Sequence, residues 1–354
     1  GIGSTMPHGT PEDLPSPITE VGGTIDTLAC GVDHSCVITA AGDLRCWGNG
    51  AAGQLGYGNT QNVGDGPGEM PPPPVDVGGT PVLVSLGDQH SCVVLDNGET
   101  RCWGYNHAGQ LGYGHTETIG DEPGEMPPPA VNVGGTPIQL ALGYGYTCAL
   151  LDTGKVRCWG RNHVAQLGQG HTNDVGDNPG EMPPPDTNLG PNPVTQVDVS
   201  VARGCARFDN GTVRCWGTGI LGYGNLLDMI GDSPADMPPP VINLAGNAIE
   251  VEVGGSHSCA LFSTNNVRCW GDNDNGELGT GDNFNDIGDD PGEMPPADVE
   301  VGGLATQLGV GVGQSCALTQ SNEVRCWGTA YANGQSETLG DDPGEMPPPP
   351  VIVY

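Results

Sequence analysis

The tripeptide Arg-Cys-Trp occurs six times in this chain, at an almost constant step. Its tryptophans are Trp47, Trp103, Trp159, Trp216, Trp270 and Trp327, which are all the tryptophans present, spaced 54 to 57 residues apart. Ten residues before the motif cysteines Cys46, Cys102, Cys158, Cys215, Cys269 and Cys326 stand six more: Cys36, Cys92, Cys148, Cys205, Cys259 and Cys316. A fixed period of this length means one supersecondary unit built over and over, each copy burying its apolar face on the next.

The ten-residue interval reads as a β-hairpin. In "SCVVLDNGETRCWG" apolar and polar residues alternate on both sides of a turn. A three-residue loop sets the two cysteines opposite each other and requires positive φ just before the second strand. That position holds Gly42, Gly98, Gly154, Gly211, Asn265 and Asn322, the residue types that enter this region at least cost. Six cross-strand disulfides are therefore expected, each adding about 2–3 kcal/mol in the chain-entropy model. A lone pair of cysteines in a hairpin, without a second pair beside it, is a poor zinc signature. Six disulfides place the chain in an oxidising compartment, secreted or at the cell surface. The thirteenth cysteine, Cys30, takes the place of Leu86, Leu142, Val199, Val253 and Val310 in the other repeats and is expected to be a buried strand residue.

A further strand precedes each hairpin, as in "PVLVSLG" at 81–87, and a short one follows each proline run, as in Val75-Asp76-Val77. No segment carries a helical period with caps. The expected fold is all-β, a β-propeller of about six four-stranded blades, each with one hairpin disulfide. An N-terminal segment, 1–17, precedes a single propeller, 18–354, with repeats at about 18–74, 75–130, 131–186, 187–240, 241–298 and 299–354. Gly and Pro exceed a quarter of the chain, which fits many short elements joined by turns.

The residues "GVDHSCVITAAGDLRCWGNGAAGQLGYGNT" resemble the regulator-of-chromosome-condensation repeat family. Gly31, His34, Ser35, Gly42, Trp47, Gly48, Gly53, Gln54, Leu55, Gly56 and Gly58 follow its pattern in the first repeat, and His90, Ser91, Trp103, Gly104, Asn106, Gly109, Gln110, Leu111 and Gly112 in the second. The resemblance implies a propeller, usually of seven blades, where six hairpins are counted here. The fourth repeat is trimmed to "WGTGILGYG", the sixth loses Gln-Leu-Gly, and the histidine becomes Tyr146, Arg203 and Gln314 in three repeats. His34, His90 and His257 therefore read as buried hydrogen-bonding residues and not as a shared catalytic or metal set. Within that family stand a nuclear nucleotide-exchange factor and secreted bacterial inhibitors. Disulfides and acidity speak against the nuclear role.

The joint between repeats, "GDGPGEMPPPP" and its variants, carries two acids, a Pro-Gly and a proline run. Pro-Gly fits a type II turn, the aspartate can accept from amides downstream, and the prolines leave as stiff polyproline II. A structural joint explains all but the glutamate. Calcium is the second reading. Asp65 with Glu69, Asp121 with Glu125, Asp177 with Glu181, Asp289 with Glu293, and Asp341 with Glu345 bring hard oxygens to each turn, although two carboxylates alone fall short of 6–8 ligands. No other cofactor is indicated.

With 43 acids against ten bases, net charge is −33, which repels nucleic acid and anionic membranes. No apolar run approaches the ~20 residues of a membrane helix. No leader is visible and the chain begins at Gly1, which reads as a processed chain or a piece of a longer one. Residues 9–23 and the ending "MPPPPVIVY" are both copies of the joint, making seven joints for six hairpins. One terminal copy can close the ring by strand exchange, and the spare one is a template for a second chain. No asymmetric constellation of an enzyme shows, and no catalytic residue is named. The expected function is that of a non-enzymatic extracellular structural or adhesive module that self-assembles through its terminal strands. The alternative is a monomeric protein- or glycan-binding propeller. Asn210, in Asn210-Gly211-Thr212, is a glycosylation candidate.

Overall fold

The computed structural model describes residues 19–224, 229–329 and 337–351. They form six small antiparallel sheets, one per repeat. Blade 1 holds β1 (Ile25–Cys30), β2 (His34–Thr39) and β3 (Leu44–Gly48), and blade 2 holds β4 (Pro81–Leu86), β5 (His90–Leu95) and β6 (Thr100–Gly104). Blade 3 holds β7 (Pro137–Leu142), β8 (Tyr146–Leu151) and β9 (Val156–Gly160), and blade 4 holds β10 (Val194–Val199), β11 (Arg203–Phe208) and β12 (Val213–Gly217). Blade 5 is β13 (Ala248–Val253), β14 (His257–Phe262) and β15 (Val267–Gly271), and blade 6 is β16 (Ala305–Val310), β17 (Gln314–Thr319), β18 (Val324–Gly328) and β19 (Pro350–Val351). Packing divides the described residues into two compact units, 19–188 with blades 1–3 and 189–351 with blades 4–6.

Each hairpin closes as its turn residues dictate. In blade 1 the Gly42 N–H donates to Thr39 O at 2.8 Å and the Thr39 N–H to Asp43 O at 2.9 Å, leaving a three-residue loop. The residue before the second strand has φ between 61° and 85° in all six hairpins, four times glycine and twice asparagine. This register makes the cysteines direct partners, Cys36 with Cys46 through to Cys316 with Cys326. All six disulfides form, each with Cα atoms 4.1 Å apart.

The blades are three-stranded, except blade 6, where β19 adds a fourth strand. The expected fourth strand is reduced elsewhere to a single ladder bond, such as Val75 N–H to Leu44 O or Val131 N–H to Thr100 O, both 2.8 Å. The proline run limits this pairing, since it has no N–H to donate before that valine, and even in blade 6 the strand is only Pro350–Val351. The C-terminal joint pairs with β18 of its own blade, as the internal joints do with theirs. The N-terminal joint lies mostly outside the described residues. Its end is seated on blade 1, where Val21 packs with Val37 and Trp47.

Successive blades share cores. In the first unit Ile38, Leu44, Leu55, Val75 and Val77 of blade 1 meet Leu86, Val93, Leu95 and Trp103 of blade 2. In the second, Leu261, Val267, Leu278 and Val301 meet Ala305, Leu308, Ala317 and Trp327. The motif tryptophan also donates its Nε1–H backwards, Trp103 to Gln54 O at 2.9 Å and Trp327 to Glu277 O at 2.9 Å. Trp270 faces the trimmed fourth repeat, and its buried Nε1–H finds no acceptor.

Candidate functional site

The joints are built around the glutamate and not the aspartate. One carboxylate oxygen of Glu125 accepts the amides of Gly120 and Glu122 at 2.8 and 2.9 Å. Glu69, Glu181, Glu293 and Glu345 repeat the pattern at 2.8–3.0 Å, and Asp236 does so with Ser233 in the fourth repeat. The Pro-Gly glycines Gly68, Gly124, Gly180, Gly292 and Gly344 have φ of 84–102°, as the turn requires. Burial, together with the like charge of the loop glutamate, pushes Asp121, Asp177, Asp289 and Asp341 above the ordinary carboxylate range. Burial opposes ionisation of Glu181 and Glu293 too, but the amides hold both low. Each loop thus holds two carboxylates with one oxygen already engaged. Among the described residues, no three acids, histidines or cysteines converge as a metal-ligand set.

The prolines are gripped by residues to which sequence reading assigned no role. Arg45 donates to Pro72 O at 2.6 Å and Arg325 to Pro348 O at 2.6 Å. Tyr57 and Tyr113 bridge their own disulfide strand to Pro73 O and Pro129 O at 3.0 and 2.9 Å. Burial pushes the Tyr57 hydroxyl up to about 12, against the hydrogen bond to Cys46. A Cβ on Gly109 would lie 2.3 Å from the Asp177 amide, so the joint of one blade rests directly on the glycine loop of the blade before. Arg101 and Arg214 likewise donate to Pro128 O and Pro239 O, while Arg157 and Arg268 bond Val133 O and Leu244 O. Of these six motif arginines, all but Arg214 also pair with a carboxylate, such as Asp43 or Glu99.

The histidines form a second repeated network. His34 Nε2 meets Ser91 Oγ at 2.9 Å, and Ser91 donates onward to Gln54 O at 2.8 Å. The serine proton is thereby used, so Nε2 carries the histidine proton. His90 with Thr147 and His257 with Ser315 repeat it, at 3.0 and 2.8 Å. Burial lowers His34 to about 4 and His257 to about 3. Asp88 lies 3.6 Å from His90 Nδ1, giving the connectivity of an acid–base–hydroxyl triad. Thr147 is wholly buried and its proton goes to Gln110 O, so no substrate reaches it. In blade 4, Arg203 replaces the histidine and bonds Ile220 O and Ser256 O at 3.1 and 2.8 Å.

One constellation is not repeated, against the expectation that none exists. Asp198 on β10 accepts the Val253 amide at 2.6 Å, and Glu250 on β13 accepts the Leu308 amide at 3.1 Å. Glu252 lies 3.4 Å from Gln196 Nε2. The signal was present: the matching positions on β4 and β7 are Leu83, Ser85, Gln139 and Ala141.

Cys30 is exposed, which corrects the expectation of burial. Ile25 and Leu28 on the same strand are 48% and 57% exposed, whereas their counterparts Pro81 and Val84 are buried and half-buried. The strand β4 is covered because it packs on β1 and β2, and no described blade precedes β1. Asn210 is exposed at its hairpin turn, with its side-chain oxygen bonded to Thr212 Oγ1 at 2.7 Å.

Models of the regulator of chromosome condensation (RCC1) repeat match residues 25–54, 82–110, 138–166 and 248–277, and a second such model matches 41–94. The chain carries RCC1 repeats. It is similar to the ultraviolet-B receptor UVR8 of Arabidopsis thaliana, 29% identical over 351 residues, covering 95% of this chain and 72% of the receptor. It is 32% identical over 249 residues to the mouse secretion-regulating guanine nucleotide exchange factor, with 68% of this chain and half of that protein covered. Among solved structures, human WBSCR16 matches with a TM-score of 0.74 at 22% identity over 95% of this chain and 84% of that one. Yeast RCC1 (Prp20), solved with Kap60, matches at 0.68 and 19% over 93% and 75%. The β-propeller fold class follows. Six RCC1-type blades, each with a hairpin disulfide, imply an oxidising environment. No helix among the described residues is long and apolar enough to cross a membrane.

Proposed function

We propose that this chain is a non-enzymatic extracellular structural module whose blades associate with a second copy of itself. The observation that carries this is the uncovered leading face of blade 1, formed by Ile25, Leu28 and Cys30. The same face of blades 2, 3, 5 and 6 packs on the strands of the blade before. At the other end, Gln314, Cys316 and Leu318 on β17 are half-buried, where His257, Cys259 and Leu261 on β14 are buried. A trailing face of blade 6 from one copy offers blade 1 of the next the cover that blades 2, 3, 5 and 6 have. Such a heterologous contact propagates. Exchange of the C-terminal strand is disfavoured as the route, because β19 is paired at home.

The triad-like and carboxylate groups of the blades are engaged within the fold, which supports the non-enzymatic reading. The alternative is a monomeric protein- or glycan-binding propeller. A structure of yeast Prp20p that matches this chain is titled for binding to Gsp1p and histones. The acidic surface here would favour a basic partner. Light scattering across dilution, in calcium and in chelator, decides. Masses that grow with concentration and drop on Leu28→Glu support association. A monomer mass at every concentration overturns it and favours the binder. Assembly lost only in chelator would make the joints calcium sites.

A further inference from the structure

We propose that Asp198 and Glu252, two carboxyl groups brought into one seam without a balancing cation, make the interface between blades 4 and 5 pH-sensitive, so that it loosens as they ionise. The two residues belong to β10 and β13, the first strands of adjacent blades. Along this seam the side chains of β10 run over the backbone of β13. Gln196 accepts the Val251 amide at 3.0 Å and donates to Val251 O at 2.9 Å, and Asp198 accepts the Val253 amide at 2.6 Å. Glu252 sits between those two anchored residues and has Gln196 Nε2 at 3.4 Å.

The surrounding charges do not balance the pair. Glu250, also on β13, adds a third carboxylate and is itself tied to the Leu308 amide. The nearby cation is Arg207 on β11, whose Nε donates to Gln196 at 3.4 Å. From β16 comes no ionisable residue, while His257 on β14 bonds Ser315 and Arg214 on β12 bonds Pro239. Two carboxylates in one part-buried seam cannot both ionise cheaply, so they hold protons as a unit. Burial raises Asp198 to about 7, and burial followed by the charge of Asp198 raises Glu252 to about 9. Glu250 is raised as well, by burial.

The direction follows from linkage. The unfolded chain loses these protons near pH 4, whereas the folded seam keeps them to about 7 and 9. Folding therefore takes up protons, and stability declines as pH climbs through that window. No seam in blades 1–3 has this chemistry, since Ser85 and Ala141 stand at the position of Asp198.

The test is the apparent Tm of the full chain from pH 6 to 10, for wild type, Glu252→Gln and Asp198→Asn. Both substitutions keep size and acceptor oxygen but cannot ionise. The wild-type Tm should fall by roughly 5–10 °C across this range, and each variant should lose less than half as much. Equal slopes in all three proteins would overturn the proposal. If a variant fails to fold, infrared spectra of the native protein take its place. The C=O stretch of a protonated carboxyl should persist at about pH 8 and vanish near pH 10. Its absence at about pH 8 would overturn the proposal equally.

Discussion

Acid should act on the second unit through His257, in the opposite sense to the carboxyl pair. The imidazole is buried, bonded through Nε2 to Ser315, and lowered by burial and then by Arg203 to about 3. The unfolded value is near 6.5. A group depressed on folding contributes fully above its unfolded value and is lost as pH falls toward its folded one. At about pH 4 the unfolded chain has gained nearly a full proton at this site that the folded chain refuses. About 2.5 pH units at 1.36 kcal/mol each give about 3 kcal/mol lost relative to about pH 8. Other groups titrate too, so the quantity to read is a difference. In His257→Gln, the neutral amide can still donate to Ser315, and this pH dependence is absent. Urea unfolding of both proteins at several pH values should show wild type ahead near pH 8, by about 1–2 kcal/mol from packing and hydrogen-bond geometry. That lead should shrink by about 3 kcal/mol and reverse near pH 4. A constant gap from about pH 8 to 4 would mean that His257 protonates freely in the native state, and the buried relay would be wrong.

Tyr113→Phe removes the one group that serves both the Cys102 strand and Pro129 O, and should cost about 1–3 kcal/mol in urea unfolding. Replacing Cys92 and Cys102 together by alanine opens a ten-residue link and should cost about 3 kcal/mol, read by the same assay. Glu125→Ala unties two joint amides and should lower stability by about 1–3 kcal/mol. If calcium raises the wild-type Tm and raises that of Glu125→Ala by less, the joint is a cation site. If it raises neither, the joint is a turn alone.

Local chemistry was legible in the residues. Cysteine spacing, turn residue and alternation all sit within one hairpin, so a single repeat sufficed to place each disulfide. What depended on neighbours was not legible. A valine after three prolines looks like a strand, yet the prolines leave it one ladder bond. The glutamate of the joint showed no purpose until its amides were in place. Cys30 reads like Leu86, and the difference lies in what precedes the strand, not in the strand itself. "TQVDVS" and "IEVEVG" alternate as a solvated strand would. In stacked blades that polar side faces the next strand, so Asp198 reaches the Val253 amide and Glu252 lies beside Gln196.

The most direct measurement of the central claim is the rate at which Cys30 reacts with a small alkylating reagent at high and low protein concentration. The remaining twelve cysteines are in disulfides, so the native protein reports on this thiol alone. Association through the leading face of blade 1 predicts protection in concentrated protein, release on dilution, and constant reactivity in Leu28→Glu. Equal reactivity at every concentration would show that this face stays bare and that the chain does not assemble through it.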